Sequence, residues 1–163
     1  MQVKDTMTKE VITVAPDTKV TEVARIIHER NFNGLPVVDA EKKVLGMITE
    51  ADLLANDAFG THIPSFAKLL ADFNVLKMVK DEDKKNLESI VNATAESIMD
   101  AKYVSVGPET PLSELLAIFN EKRVNPVPVV DENNILQGIV ARSDIVRLVA
   151  RFSEAELDFL RKN

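Results

Sequence analysis

The sequence predicts an α/β (α+β) chain of two tandem β-α-β-β-α repeats, packed sheet to sheet about a pseudo-twofold axis, with a helical insert between them. Three observations carry this. First, a pattern recurs without a gap at an offset of 92 residues: Met7, Val14, Pro16, Thr18, Glu22, Asn33, Pro36, Val37, Val38, Asp39, Gly46 and Asp52 fall on Met99, Val106, Pro108, Thr110, Glu114, Asn125, Pro128, Val129, Val130, Asp131, Gly138 and Asp144. Second, apolar spacing inside each copy switches between helical and strand periods. Third, a unit of roughly 50 residues with one three-stranded sheet cannot cover both sheet faces with its own helices, so pairing of the two copies is the natural remedy.

In the first copy, Val11 to Val14 reads as a short β-branched strand, and Pro16-Asp17-Thr18 as a turn. A helix follows, with Val20, Val23, Ala24 and Ile27 at helical spacing, and Asn33-Gly34 is expected to end it. Leu35 to Val38 is an apolar strand, Asp39 to Lys43 a polar hairpin turn, and Val44 to Ile48 the next strand, with a last helix opening at Thr49. The second copy repeats the order with Val104 to Val106, Leu112/Leu115/Leu116/Phe119, Val127 to Val130, Asp131 to Asn134, Ile135 to Val140 and a helix after Ala141. Between the copies, Phe66, Leu69, Leu70 and Phe73 make an amphipathic stripe, and Leu87, Ile90 and Val91 a second one behind the acidic Asp81-Glu82-Asp83. Ser153 to Glu156 resembles a capping box opening a final helix. The expected organisation is residues 1–57 for the first repeat, 58–92 for the insert, 93–150 for the second repeat and 151–163 for the C-terminal helix.

Composition narrows the function. The chain has 163 residues, 45% of them hydrophobic and 28% charged, which suits a globular domain and not a disordered or fibrous one. With no cysteine there is no disulfide, thiolate metal site or Cys nucleophile, and a cytoplasmic location is the expectation. The two histidines, His28 and His62, share no short metal or triad motif. A net charge of -6 with scattered Lys and Arg argues against nucleic-acid binding. No apolar run approaches the ~20 residues that cross a bilayer, and the charged N-terminus is unlike a signal peptide.

The strongest local signal is Gly46-Met47-Ile48-Thr49-Glu50-Ala51-Asp52 at the end of a strand. Together with Leu35-Pro36-Val37-Val38-Asp39 and the gapless repeat, it resembles the paired cystathionine β-synthase (CBS) domain, or Bateman module, over Val3 to Leu54 and Ala95 to Val146. The resemblance implies a regulatory, non-catalytic module that binds AMP, ADP, ATP or S-adenosylmethionine in the cleft between the repeats, without a catalytic cofactor or metal. In such modules the Asp of Thr-x-x-Asp holds the ribose hydroxyls, the Thr meets phosphate and strand residues sandwich the adenine. Carried over, this nominates Asp52 and Thr49, with Met47 and Ile139 as pocket walls and Asn33 and Asn125 in the adjoining loop. The second copy reads Gly138-Ile139-Val140-Ala141-Arg142-Ser143-Asp144, so Asp144 matches while Ala141 replaces the hydroxyl. The resemblance also implies a homodimer that acts on another protein.

The residues support the assignment in their own right. A carboxylate is acceptor-only and takes both hydroxyls of a cis-diol, and Arg142 is the nearest cation for a phosphate in an acidic chain. A plainer reading stands beside it: Thr49 and Asp52 also satisfy a helix N-terminal capping arrangement. Met47 and Ile139 equally suit sheet core, and Asn33 and Asn125 equally suit left-handed helix caps. A ligand-free dimerisation or interaction module that uses the insert is the rival function.

Overall fold

The structure, a computed structural model, describes residues 1–54 and 92–151 of the chain. The expected insert helices around Phe66 to Phe73 and Leu87 to Val91 and the expected helix after Ser153 lie outside the described residues. In chain order the elements are a 3-10 turn Val3–Asp5, α1 Val20–Arg30, β1 Gly34–Val38, β2 Val44–Thr49, α2 Glu50–Leu54, α3 Ala95–Ile98, α4 Leu112–Glu121, β3 Val127–Val130, β4 Leu136–Val140 and α5 Arg142–Val149.

Two compact units form, and neither is one continuous stretch. Of the described residues, one unit holds Met1–Val11, Val104–Glu132 and 136–151; the other holds 12–54, 92–103 and Asn133–Ile135. The segment leading into each copy therefore packs in the unit of the other copy's hairpin. Matching contacts hold both leaders. The Val3 N–H donates to the Thr110 carbonyl at 2.9 Å and the Ala95 N–H to the Thr18 carbonyl at 2.8 Å. Lys4 and Glu96 donate their N–H groups to the carbonyls of Pro108 and Pro16 at 3.0 and 2.9 Å. Each Pro-x-Thr turn is closed by its Thr hydroxyl, Thr18 accepting from the Ala15 N–H and Thr110 from the Gly107 N–H, both at 3.1 Å. The repeated Pro/Thr motif is thus a docking site for the incoming leader. The leaders also complete the helices: the first N–H of α1 donates to the Ala93 carbonyl at 3.0 Å and that of α4 to the Met1 carbonyl at 3.1 Å, relieving orphan donors that no side chain caps.

Each unit has an antiparallel hairpin. β1 pairs with β2 through Gly34↔Thr49, Leu35↔Ile48, Pro36↔Met47 and Val37↔Gly46, then a register shift to Val38↔Val44. β3 pairs with β4 in the same pattern, Val127↔Val140 to Val129↔Gly138, with the shift at Val130↔Leu136. The expected strands at Val11 to Val14 and Val104 to Val106 are corrected by the structure to single parallel bridge residues, Val14↔Val37 and Val106↔Val129. Val14 donates its N–H to the Pro36 carbonyl at 3.1 Å and accepts from the Val38 N–H at 3.0 Å. Extending that parallel ladder backward needs an N–H from Pro36, and extending it forward needs one from Pro16. Neither proline has one. Pro128 and Pro108 impose the same limit on Val106.

The two cores are built from matching residues. Val14, Val23, Ile27, Leu35, Val37, Ile48 and Ala95 form one, and their counterparts at the offset of 92, Val106, Leu115, Phe119, Val127, Val129, Val140 and Val3, form the other. Ala95 and Val3 come from the exchanged leaders and are fully buried.

A second correction concerns the helix ends. α1 stops at Arg30, and Asn31, at φ 56° and ψ 43°, is the left-handed cap, its N–H reaching the carbonyls of His28 and Ile27. In the second copy the matching position, Arg123, also has positive φ, at 55°. Asn33 and Asn125 lie beyond these caps, and Gly34 enters β1.

Candidate functional site

The ends of β2 and β4 lead directly into α2 and α5, so the motif carboxylates sit where each hairpin leaves its sheet. In the first copy the half-buried Asp52 turns back on Thr49. Its Oδ2 accepts the Thr49 N–H and the Thr49 hydroxyl, both at 2.7 Å. The next N–H, of Glu50, donates to the Asn33 carbonyl at 3.1 Å. In the second copy Asp144 Oδ2 accepts the Ala141 N–H at 2.8 Å, and Oδ1 pairs with Arg147 Nη1 at 3.1 Å. The Asp144 side chain is only 8% exposed, against 60% for Arg147. Among the described residues Asp144 is the buried charged side chain, and it is charge-paired and hydrogen-bonded as burial demands. In both copies the carboxylate caps a backbone N–H, so its structural task does not depend on a hydroxyl at the preceding turn.

The remaining nominated residues fall into place around these two. Asn125 Oδ1 accepts the Arg142 N–H at 2.9 Å, so the loop asparagine of the second copy ties the start of α5 to the end of the preceding loop. The Arg142 guanidinium donates to the Phe119 carbonyl and lies over the Phe119 ring, 5.8 Å from its centroid. It is thereby anchored on the end of α4. Met47 is buried and hydrogen-bonds through its backbone with Asp100, N to O at 3.1 Å and O to N at 2.8 Å. Ile139 is half-buried and makes the matching pair with Thr8, both at 2.9 Å. His28 is exposed on the last turn of α1.

The glycines opening these motifs have a steric cause. A Cβ on Gly138 would lie 2.7 Å from the Met7 sulfur and 3.0 Å from the Thr8 carbonyl oxygen; one on Gly46 would lie 2.7 Å from the Met99 sulfur and 3.0 Å from the Asp100 carbonyl oxygen. The exchanged leader approaches each hairpin so closely that a side chain there forces the methionine to shift and crowds a carbonyl oxygen.

Beside Asp144 the same unit has a half-open cavity of about 240 Å³, lined by Asp5, Thr6, Thr8, Asp144, Arg147 and Arg151 among others. Sequence reasoning missed Arg147 and Arg151. The signal was available: they follow Asp144 at i+3 and i+7, nearly one helical face, whereas the corresponding positions of the first copy are Ala55 and Phe59. Elsewhere, Arg25 pairs with Glu22 and Glu29 on the exposed face of α1, and the hydrogen bond from Arg25 holds the Glu22 carboxyl below its usual range. Among the described residues no group of three or more His, Cys, Asp or Glu side chains is placed to hold a metal ion, and no helix is long and apolar enough to cross a membrane.

The two-copy pattern matches a family model described as the CBS domain, over residues 3–58 and again over 95–151. The chain belongs to the CBS-domain family. This CBS pair is 24% identical over 151 residues to the uncharacterised protein MJ1426 of Methanocaldococcus jannaschii, covering 90% of this chain and 89% of that one. It is 29% identical to inosine-5'-monophosphate dehydrogenase of the same organism, but spans only 22% of that enzyme's length, and it spans 49% of the uncharacterised protein MJ1225. Among solved structures, the CBS domain pair of protein MJ0100, in complex with 5-methylthioadenosine and S-adenosyl-L-methionine, superposes with a TM-score of 0.65 at 27% identity, over 92% of this chain and 96% of that one. CBSX2 in complex with AMP superposes with a TM-score of 0.68 at 25% identity, over 94% and 99%. CBSX2 is a protein of Arabidopsis thaliana.

Proposed function

We propose that this CBS pair is a regulatory, non-catalytic module that binds an adenosine-containing ligand, AMP, ADP, ATP or S-adenosylmethionine, and reports it by a change of conformation or association. The observation that carries the reading is the pair of motif carboxylates, Asp52 and Asp144, held at the same place in two matched hairpins whose solved relatives carry AMP or S-adenosylmethionine. Asp52 commits Oδ2 to the cap and keeps Oδ1 for a ribose hydroxyl. Thr49, half-buried beside it, adds a hydroxyl within reach of the same ligand, and the buried Met47 and half-buried Ile139 supply apolar wall to the base. Residues 1–57 and 93–150 act as the two repeats, with 58–92 and 151–163 as additions that shape association with a second copy and with an effector protein. The proposed setting is the cytoplasm.

A ligand that binds the folded chain alone, present at 100 times its Kd, adds about 2.7 kcal/mol to stability. The test is a melting panel of AMP, ADP, ATP, S-adenosylmethionine and GTP on wild type, Asp52→Ala and Asp144→Ala. A selective upward shift that is reduced or lost in at least one variant supports the reading. A shift of equal size in all three proteins removes both carboxylates from the site. Oligomerisation indifferent to every compound and sensitive to Phe66→Ala supports the rival, an interaction module acting through the insert.

A further inference from the structure

We propose that the cavity beside Asp144 receives the phosphoryl end of a nucleotide, with Arg151 as its principal cation and Arg147 as its second. This rests on the adenosyl-ligand reading and assigns the anion-binding role within it. The cavity measures about 240 Å³, below the roughly 300–1,000 Å³ that enclose a whole drug-sized ligand, so it suits one end of a nucleotide rather than all of it.

The lining has mixed charge, and the charges are not equally committed. Asp144 spends Oδ2 on the Ala141 N–H and Oδ1 on Arg147, and Asp5 spends Oδ2 on the Gln2 N–H at 2.8 Å. Arg147 uses one N–H toward Asp144, and a guanidinium has five. Arg151 has no ion-pair partner among the described residues. The hydroxyl-bearing Thr6 and Thr8 also line the cavity. Carboxylates already engaged, hydroxyls nearby and a guanidinium left over make a place for an acceptor-rich anion, for which a planar fork of donors is the best match. Arg142, the nearer cation in sequence, is held on Phe119 instead. The arrangement belongs to the second copy alone, because the positions of Arg142, Arg147 and Arg151 are Glu50, Ala55 and Phe59 in the first. The two copies therefore differ in ligand charge preference, the second selecting phosphorylated ligands.

The experiment is calorimetric titration of the nucleotide-free full chain with AMP, adenosine and inorganic pyrophosphate, on wild type, Arg151→Gln, Arg147→Gln and, as a charge-matched control, Lys122→Gln. Among the described residues the Arg151 side chain makes no hydrogen bond or ion pair, so its variant is expected to keep the wild-type melting temperature, which is checked first. The expected result is that Arg151→Gln weakens AMP about ten- to a hundredfold, the size of a lost charge-assisted contact, leaves adenosine unchanged, and abolishes pyrophosphate binding, while Lys122→Gln changes none of them. Arg147→Gln lowers AMP affinity in the same direction. An AMP-to-adenosine preference that is identical in wild type and Arg151→Gln overturns the proposal while leaving the adenosyl reading standing. If neither AMP nor adenosine binds wild type, the adenosyl reading fails. In that case pyrophosphate binding lost in Arg151→Gln still supports the cavity as an anion site, and its absence in wild type removes the cavity as well.

Discussion

Replacing Gly138 with alanine tests the close approach between each hairpin and the leader that docks on it. The added Cβ would stand 2.7 Å from the Met7 sulfur and 3.0 Å from both the Met7 Cγ and the Thr8 carbonyl oxygen, inside the 3.4–4 Å of ordinary contact. Met7 can swing away at the cost of its packing, because its side chain is flexible. Thr8 cannot, since its N–H and carbonyl both bond to Ile139 at 2.9 Å. Overpacking of this kind costs about 1–3 kcal/mol, and at about 2–4 °C per kcal/mol for a chain of this size the melting temperature falls by about 2–12 °C. The assay is thermal and urea unfolding followed by circular dichroism, in a cycle of Gly138→Ala, Met7→Ala and the double variant. Met7→Ala removes the first collision, so the double variant is more stable than the two single losses predict, by about 1 kcal/mol. A Gly138→Ala chain within about 0.5 kcal/mol of wild type, or strict additivity in the cycle, refutes the packing argument.

Other predictions follow from the same contacts. Asn31→Ala places a Cβ-bearing residue without a polar side chain at φ 56° and lowers stability by about 1 kcal/mol, while Asn31→Gly is close to neutral, both read from urea midpoints. Thr49→Val removes the hydroxyl bond to Asp52 but keeps the N–H bond, so it costs about 1 kcal/mol, less than the ~1–2 kcal/mol of Asp52→Ala, which loses both. Tyr103→Phe removes the hydroxyl that donates toward the Val44 carbonyl and Asn134 Oδ1, at 3.1 and 3.0 Å, and lowers stability by about 1 kcal/mol. Asn134→Ala costs more, because Asn134 also donates Nδ2 to the Val44 carbonyl at 2.8 Å and sits at φ 65°.

The repeat, the two hairpins and the main helices were legible because apolar period and offset are properties of the chain itself. Val23, Ile27, Leu35 and Val37 enter one core, and Leu115, Phe119, Val127 and Val129 the other, as their spacing requires. The exchange of leaders was not legible. An offset of 92 says that Val3 matches Ala95 and Met7 matches Met99, but small apolar residues and methionines satisfy either pairing, so the pattern is silent on which core each leader joins. The shrinkage of Val11 to Val14 to one bridge could have been read, since Pro16 and Pro36 remove the two donors that flank Val14. The helix end was misplaced because Asn33-Gly34 looks the stronger stop, whereas Asn31 already adopts the left-handed turn. At the site, Asp52 and Asp144 are nominated by their motif, but the engagement of Arg142 with Phe119 depends on a side-chain path that spacing does not encode. Arg147 and Arg151 became candidates only once a cavity was found beside them.

The measurement that tests the central claim most directly is calorimetric titration of the nucleotide-free chain with AMP and S-adenosylmethionine, side by side with Asp52→Ala and Asp144→Ala. The account predicts saturable binding of at least one of the two compounds to wild type, weakened at least tenfold by loss of a motif carboxylate. No heat of binding from either compound, in protein shown by absorbance to carry no nucleotide through purification, would contradict it.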